Sequence, residues 1–302
     1  MEEFLQKIKG WLSPPDPSTN YVIGLRNLHE KTSTWFVEGR IFQEWHSTGS
    51  LLWVHGKRTF LEPSVYLSLT ASVIHSWFWE EHPLVRHFYY LPFYCSLTFL
   101  TSSAIIQRIL SLSDGGRAFV AYFYFDFRDE DKKNCHNLLP SLLVQFAAHS
   151  ISCCDIISRV YSAHRQGTQQ PSDEVLIKCL TNILSATTQR PIYIIVDALD
   201  ECPNTSGVRS PRERVLSLIR DLVNLRLRNL HICVTSRPEV DIRIRLEPLT
   251  SLRVSLHDQT GHQDDIVRYI RSEVDVIAQD NRWREGDKEL VIETISQKAD
   301  GM

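Results

Sequence analysis

The chain has 302 residues, 43% of them hydrophobic, enough for one large α/β domain with an N-terminal extension. Its formal net charge of -3 and pI near 6.5 provide no broad basic field, so charge lends no support to binding of nucleic-acid phosphates or anionic lipid. The seven cysteines, Cys95, Cys135, Cys153, Cys154, Cys179, Cys202 and Cys233, form no CxxC pair and no metal-ligand spacing, and read as reduced, mostly buried thiols of a cytoplasmic protein.

Residues 1 to 11 predict a short amphipathic helix without the basic and apolar regions of a secretory signal. Ser13-Pro14-Pro15-Asp16-Pro17-Ser18 stops it and reads as a linker, because proline lacks the backbone donor and restricts its predecessor. From about Leu28 to Trp45, the residues Trp35, Phe36, Ile41, Phe42 and Trp45 recur at mostly helical spacing and predict a packing face. Leu51 to Val54 then reads as a buried strand entering a glycine turn at His55-Gly56-Lys57. Phe88 to Ile106 carries no charge over about the length of a bilayer span. Pro92, frequent Ser and Thr, and an arginine on each side (Arg86 and Arg108) argue against membrane insertion.

Beyond Ser102 the pattern is regular. It predicts a helix near 103 to 112, a strand Phe119 to Phe127, helices near 137 to 149 and 173 to 185, and a strand Ile192 to Val196. Ser210-Pro211-Arg212-Glu213 is a capping box with proline at the first helical position, followed by the stripe Val215, Leu216, Ile219, Leu222 and Val223. Strands at Leu230 to Val234 and Leu252 to Leu256 and helices near 262 to 277 and 287 to 298 complete the chain. Apolar strands separated by amphipathic helices predict an α/β fold, a parallel sheet covered on both faces.

The strongest chemical signal is Pro191-Ile-Tyr-Ile-Ile-Val-Asp197-Ala-Leu-Asp200-Glu201. An apolar strand delivers an acidic cluster at its carboxyl end, where open α/β sheets bind ligands. Asp197 is placed to hold Mg²⁺ beside the phosphates of a nucleotide, and Asp200 and Glu201 to orient or deprotonate water. A solvated acidic turn is the alternative. The second signal is Leu230-His-Ile-Cys-Val-Thr235-Ser236-Arg237-Pro238, whose arginine suits a γ-phosphate. A local pair with Glu239 is the alternative there.

These segments, with WLSPPDPSTNY, WFVEGRIFQEWHSTGSLLWVHGK, AYFYFDFRDEDKKNCHNLLPSLLVQ, LTSLRVSLHDQTG and RWREGDKELVIETISQKADGM, make the chain similar to the nephrocystin 3-like N-terminal and NACHT group of STAND NTPases, in the form common in fungi. The resemblance implies a P-loop NTPase sheet that binds ATP or GTP with Mg²⁺ and couples nucleotide state to self-association and signalling. It also implies Asp197 as the Walker B acid, Asp200 and Glu201 as the acidic pair after it, Arg237 as the sensor arginine and Gly56 as the first glycine of the phosphate loop. Effector and repeat domains are the expected partners in full-length relatives.

The sequence departs from that pattern after Gly56. In the family, GxxxxGK[ST] cradles the phosphates with backbone amides, its lysine reaching the β- and γ-phosphates and its hydroxyl the Mg²⁺. Here Arg58-Thr-Phe-Leu-Glu-Pro-Ser64 puts bulky groups and the acidic Glu62 where glycines and lysine are required. The stretch 58–101 has no Gly, Asp, Asn, Lys or Gln, and reads as a foreign insertion of retained-intron character. The expected organisation is therefore an N-terminal helix and linker over 1–20, an NTPase domain over 21–57 and 102–258, and the truncated start of a helical region over 259–302. Nucleotide binding is expected to be defective, and a non-enzymatic scaffold or non-functional product is the rival reading.

Overall fold

A computed structural model describes residues 2–28, 33–56, 97–113, 116–187, 189–205, 210–258, part of 264–275, and 285–300. The expectations for residues 58–96, and much of the helix expected near 262 to 277, lie outside the described residues.

Five parallel strands, β1 (Ser50–His55), β2 (Phe119–Tyr124), β3 (Ile192–Asp197), β4 (Leu230–Ser236) and β5 (Leu252–Ser255), form one sheet in the order β2-β3-β4-β1-β5. Four helices precede the sheet: α1 (Glu2–Leu12), α2 (Ser18–Asn27), α3 (Thr34–Val37) and α4 (Arg40–Thr48). Helix α5 (Leu97–Leu112) lies between β1 and β2. Helices α6 (Leu138–His149), α7 (Ile151–Ala163) and α8 (Asp173–Ala186) join β2 to β3, and α9 (Pro211–Asn224) joins β3 to β4. Helix α10 (Val240–Leu246) joins β4 to β5, and α11 (Glu285–Asp300) comes last.

The strands are apolar throughout because both faces are covered. Leu51, Trp53, Ala121, Phe123, Ile194, Val196, Ile232 and Val234 point to one core, which α1, α6, α8, α9 and α10 close. Leu52, Val54, Val120, Tyr193, Ile195, Cys233 and Val254 alternate with them into a second core under α4 and α5. The helix beyond β1 thus covers one face and the helix beyond β4 the other. The connections leaving these neighbouring strands depart to opposite faces, which opens the crevice where α/β sheets take ligands.

Local signals were sound where they were strong. Ser210 accepts from the Glu213 N–H at 3.2 Å, with Pro211 first in α9, as the capping box predicts. Where the structure differs from expectation, packing is the reason. Helix α5 begins at Leu97, inside the 58–101 stretch, and Leu100, Thr101 and Ser102 are fully enclosed. The hydrophobicity of the uncharged Phe88 to Ile106 run is, over its described part, that of a helix packed against the sheet. No helix among the described residues is long and apolar enough to cross a membrane. The packing face expected over Leu28 to Trp45 is carried by two helices, α3 and α4, that meet around Glu38-Gly39 and bury Phe36, Phe42 and Trp45, and β2 ends at Tyr124, short of Phe127. Helix α7, rich in Ser and Cys, offers little helix propensity; Ser150 caps it by accepting from the Cys153 N–H.

The first twenty residues are docked on the core and do not form a free tether. Trp11 of α1 donates its indole N–H to the Gln169 carbonyl at 2.8 Å and packs edge-on against Tyr161. Asn20 of α2 accepts from the buried Lys132 ammonium. At the amino edge of the sheet, the Tyr193 ring stacks on His231 with centroids 4.6 Å apart, and the Tyr193 hydroxyl donates to His46 Nδ1 at 2.6 Å.

Candidate functional site

The carboxyl edge of β3 and β4 gathers the predicted residues. Asp197 ends β3, and the hydroxyl of Thr235 in β4 donates to its Oδ1 at 2.5 Å. The same Thr235 oxygen accepts from the Ala198 N–H at 3.0 Å. Ala198 is thereby held at φ +53°, a left-handed conformation that a Cβ-bearing residue avoids unless its surroundings impose it. Ser102 of α5 stands near Asp197, while its hydroxyl donates to the Phe99 carbonyl at 2.9 Å. Burial pushes the Asp197 carboxyl up to about 6, against the Thr235 hydroxyl that favours its ionised form.

This elevation makes the ionised form of Asp197 costly. A carboxyl whose folded pKa lies above its unfolded value destabilises the protein at higher pH, and the loss is recovered as pH falls through about 6. Asp197→Asn should therefore raise stability by roughly 1–2 kcal/mol at neutral pH, less than the full shift because the new amide N–H₂ also needs a partner. Chemical denaturation as a function of pH should show the gain fading toward acid. A variant less stable than the parent at neutral pH would contradict this account of Asp197.

The next two acids differ in setting. Glu201 accepts from the backbone N–H of Phe127 at 3.1 Å, which ties the loop after β2 to the loop after β3. Burial, then repulsion from Asp200, Asp126 and Asp197, raises its carboxyl to about 7 despite that hydrogen bond. Asp200 accepts from the Arg237 backbone N–H at 3.0 Å through Oδ1, and its Oδ2 lies 3.0 Å from Arg237 Nε. Burial raises its pKa, with Arg237 opposing. The Asp200 side chain is enclosed, whereas that of Arg237 is 34% exposed. Arg237 thus pairs with Asp200, and Glu239 goes to another arginine.

That other arginine, Arg212, is in the first turn of α9. Its Nε donates to the Cys202 carbonyl at 2.9 Å, its Nη2 to the Asp200 carbonyl, and its Nη1 to Glu239 and Asp241. It bridges the loops that follow β3 and β4. In sequence it was only a residue of a capping box, since its partners are up to 29 positions away.

Gly56 closes the edge at β1, its N–H directed at the Ser236 carbonyl at 3.4 Å. Beside it, Trp53 donates to the Ser236 hydroxyl at 2.9 Å, and His55 accepts from Arg253 Nε at 2.8 Å. Burial and then Arg253 hold His55 neutral, its pKa near 4. Asp126, just beyond β2, is a fourth acid of the cluster that sequence reasoning passed over. Burial pushes its carboxyl up, but the bidentate Arg128 and then Asn20 outweigh this and leave it below the usual range. The signal was present in Phe-Val-Ala-Tyr-Phe-Tyr-Phe-Asp126, an apolar strand running into an acid as β3 does.

The donor set is made of hard oxygens, namely Asp197 with the Thr235 and Ser102 hydroxyls. That chemistry fits Mg²⁺ held through one carboxylate and shared with phosphates and water. No cluster of three His, Cys, Asp or Glu side chains among the described residues could cage a metal by itself.

A five-stranded parallel sheet flanked by helices, with an acid at the end of an inner strand, is an open α/β domain of the kind that takes ligands at its carboxyl edge. Residues 95–237 match the family model described as Nephrocystin 3, N-terminal. The match opens at Cys95, two residues before α5 begins, and closes at Arg237. No curated protein matches. Among solved structures the chain is similar to the ORC2 protein of Aeropyrum pernix, solved as ADPNP and ADP complexes, at 10% identity and a TM-score of 0.36. That likeness covers 94% of this chain and 69% of the other, and is too loose to bear on function.

Proposed function

We propose that this domain is a NACHT-type STAND module, a nucleotide-controlled signalling switch acting in the cytoplasm, whose own phosphate loop is lost. The observation that carries the reading is the pinned Asp197, with the Thr235 hydroxyl on its carboxylate and Arg237 across the same edge. When bound, Mg²⁺ would supply charge neutralisation between the phosphates of ATP or GTP. Asp197 would hold that ion, with Thr235 keeping the carboxylate aimed. Glu201, with its raised pKa, is the carboxyl suited to exchange a proton with water near neutrality. Gly56 would begin the phosphate cradle, and Arg237 would meet the terminal phosphate.

The rival is a non-enzymatic scaffold or a non-functional product. It is favoured by one specific feature, the absence of the glycines and lysine of GxxxxGK[ST] between Gly56 and α5. Without them the main electrostatic clamp on a triphosphate is missing. The chain should accordingly bind Mg-ATP and Mg-GTP more weakly than micromolar in calorimetry. Replacing residues 58–96 with a short loop that completes the motif ahead of α5 should create Mg²⁺-dependent binding, and Asp197→Ala should remove it. A completed loop that folds yet binds no nucleotide would overturn the switch reading. Micromolar affinity in the unaltered chain would overturn the claim that the loop is lost.

A further inference from the structure

Asp200 follows the metal-binding acid by three positions, which invites a role on water, yet its contacts point elsewhere. Both of its carboxylate oxygens are directed at one residue. Oδ1 receives the backbone N–H of Arg237 and Oδ2 faces Arg237 Nε, each at 3.0 Å. The Asp200 side chain is only 7% exposed, so it has little access to bulk water. Its own carbonyl is fixed by Arg212 Nη2, so the carboxylate stands on a backbone that is itself held. Among the described residues no hydrogen bond engages Nη1 or Nη2 of Arg237, and a third of that side chain reaches solvent. Ser236, the residue before Arg237, is the one whose carbonyl faces the Gly56 N–H, so the Arg237 backbone leaves β4 beside the end of β1.

We infer that Asp200 is a positioning residue: it grips Arg237 at the backbone and at Nε, leaving the two terminal nitrogens as a fork for a phosphoryl oxyanion at the edge shared by β1, β3 and β4. This deepens, and rests on, the nucleotide-site reading above. The physical reason is preorganisation. A guanidinium already restrained at Nε loses less rotamer freedom when its outer edge meets an oxyanion. The negative charge of Asp200 balances the positive charge of Arg237 at this edge.

The test uses the full chain and inorganic tripolyphosphate, which carries the phosphate chemistry without base or ribose. Arg237 is labelled with phenylglyoxal, and its modification is followed by peptide mass spectrometry as tripolyphosphate is raised through the millimolar range. In the parent chain the anion should protect Arg237. In Asp200→Ala the concentration giving half protection should rise about tenfold, the scale set by losing one charge-assisted grip. Asp200→Asn keeps an acceptor for the backbone N–H and should fall between, and it serves if the alanine variant does not fold. A merely structural carboxylate would lower thermal stability without moving the protection midpoint. Equal midpoints in folded variants and parent would overturn the positioning role while leaving the phosphate site intact. Absence of protection in the parent itself would overturn the phosphate site and this inference with it.

Discussion

Arg212→Met should cost about 3–4 kcal/mol of stability in urea unfolding. The side chain is 6% exposed and donates to the carbonyls of Cys202 and Asp200. Methionine fills much of the volume but leaves both carbonyls without a donor, at roughly 1–3 kcal/mol each. The carboxylates Glu239 and Asp241 are 40% and 35% exposed, so they rehydrate and add little. Arg212→Lys should recover at most about half, since a single ammonium cannot span four acceptors on two loops. Arg220 offers the contrast. Its pair with Asp221 is exposed on both sides, and Arg220→Met should stay within about 0.5 kcal/mol. A loss below about 1 kcal/mol for Arg212→Met would show that the loops after β3 and β4 are held by other contacts. The consequence for function follows directly, because the carbonyl that Arg212 holds belongs to Asp200, the residue that grips Arg237.

Acidification should expose the buried imidazole of His231. Its Nδ1–H donates to the Trp45 carbonyl at 3.0 Å, the Tyr193 ring lies on its face, and His46 stands beyond, its own pKa lowered by burial and then by Arg108. Burial, the largest influence, lowers the pKa of His231 to about 4, with the bond to Trp45 opposing and His46 adding to the fall. Because the folded pKa lies below the unfolded one, the unfolded chain takes up the proton first. The stability contribution is whole above about 6.5 and is lost as pH falls to about 4, where it levels off. The loss amounts to about 3 kcal/mol. Asp197 and Glu201 act with the opposite sign, since their folded pKa values of about 6 and about 7 lie above those of free carboxyls. The parent chain should thus show a shallow pH profile. His231→Phe keeps the ring stack and removes the histidine contribution, so its stability should rise on acidification relative to the parent by that same amount. Parallel profiles for the two proteins would show that His231 accepts a proton in place.

The comparison between residues and fold is clearest at three places. The apolar run Ile192 to Val196 and the acid after it announced an inner strand ending in a carboxylate, and β3 lies between β2 and β4 with Asp197 at its end. The Ser210 to Glu213 box announced the start of α9, since a cap is a contact among neighbours in sequence. The loss of the phosphate-loop residues was equally plain, because that motif is one contiguous string. Helix α7 and the true start of α5 were missed for the converse reason. Neither carries a strong local signal, and each is stabilised by the sheet or helices it packs against.

Amino-acid order alone therefore settled the α/β class, the strand-end acid and the absence of a GxxxxGK[ST] string after Gly56, all of which rest on periodicity or on adjacent residues. The tertiary structure alone decided that Arg237 answers to Asp200, that Arg212 joins two loops, that Asp126 enters the acidic cluster and that the first twenty residues are docked. Those pairings link positions tens of residues apart. They exist because a parallel sheet brings the carboxyl ends of successive strands to one edge, where burial strengthens each charge interaction and makes an unpaired group costly.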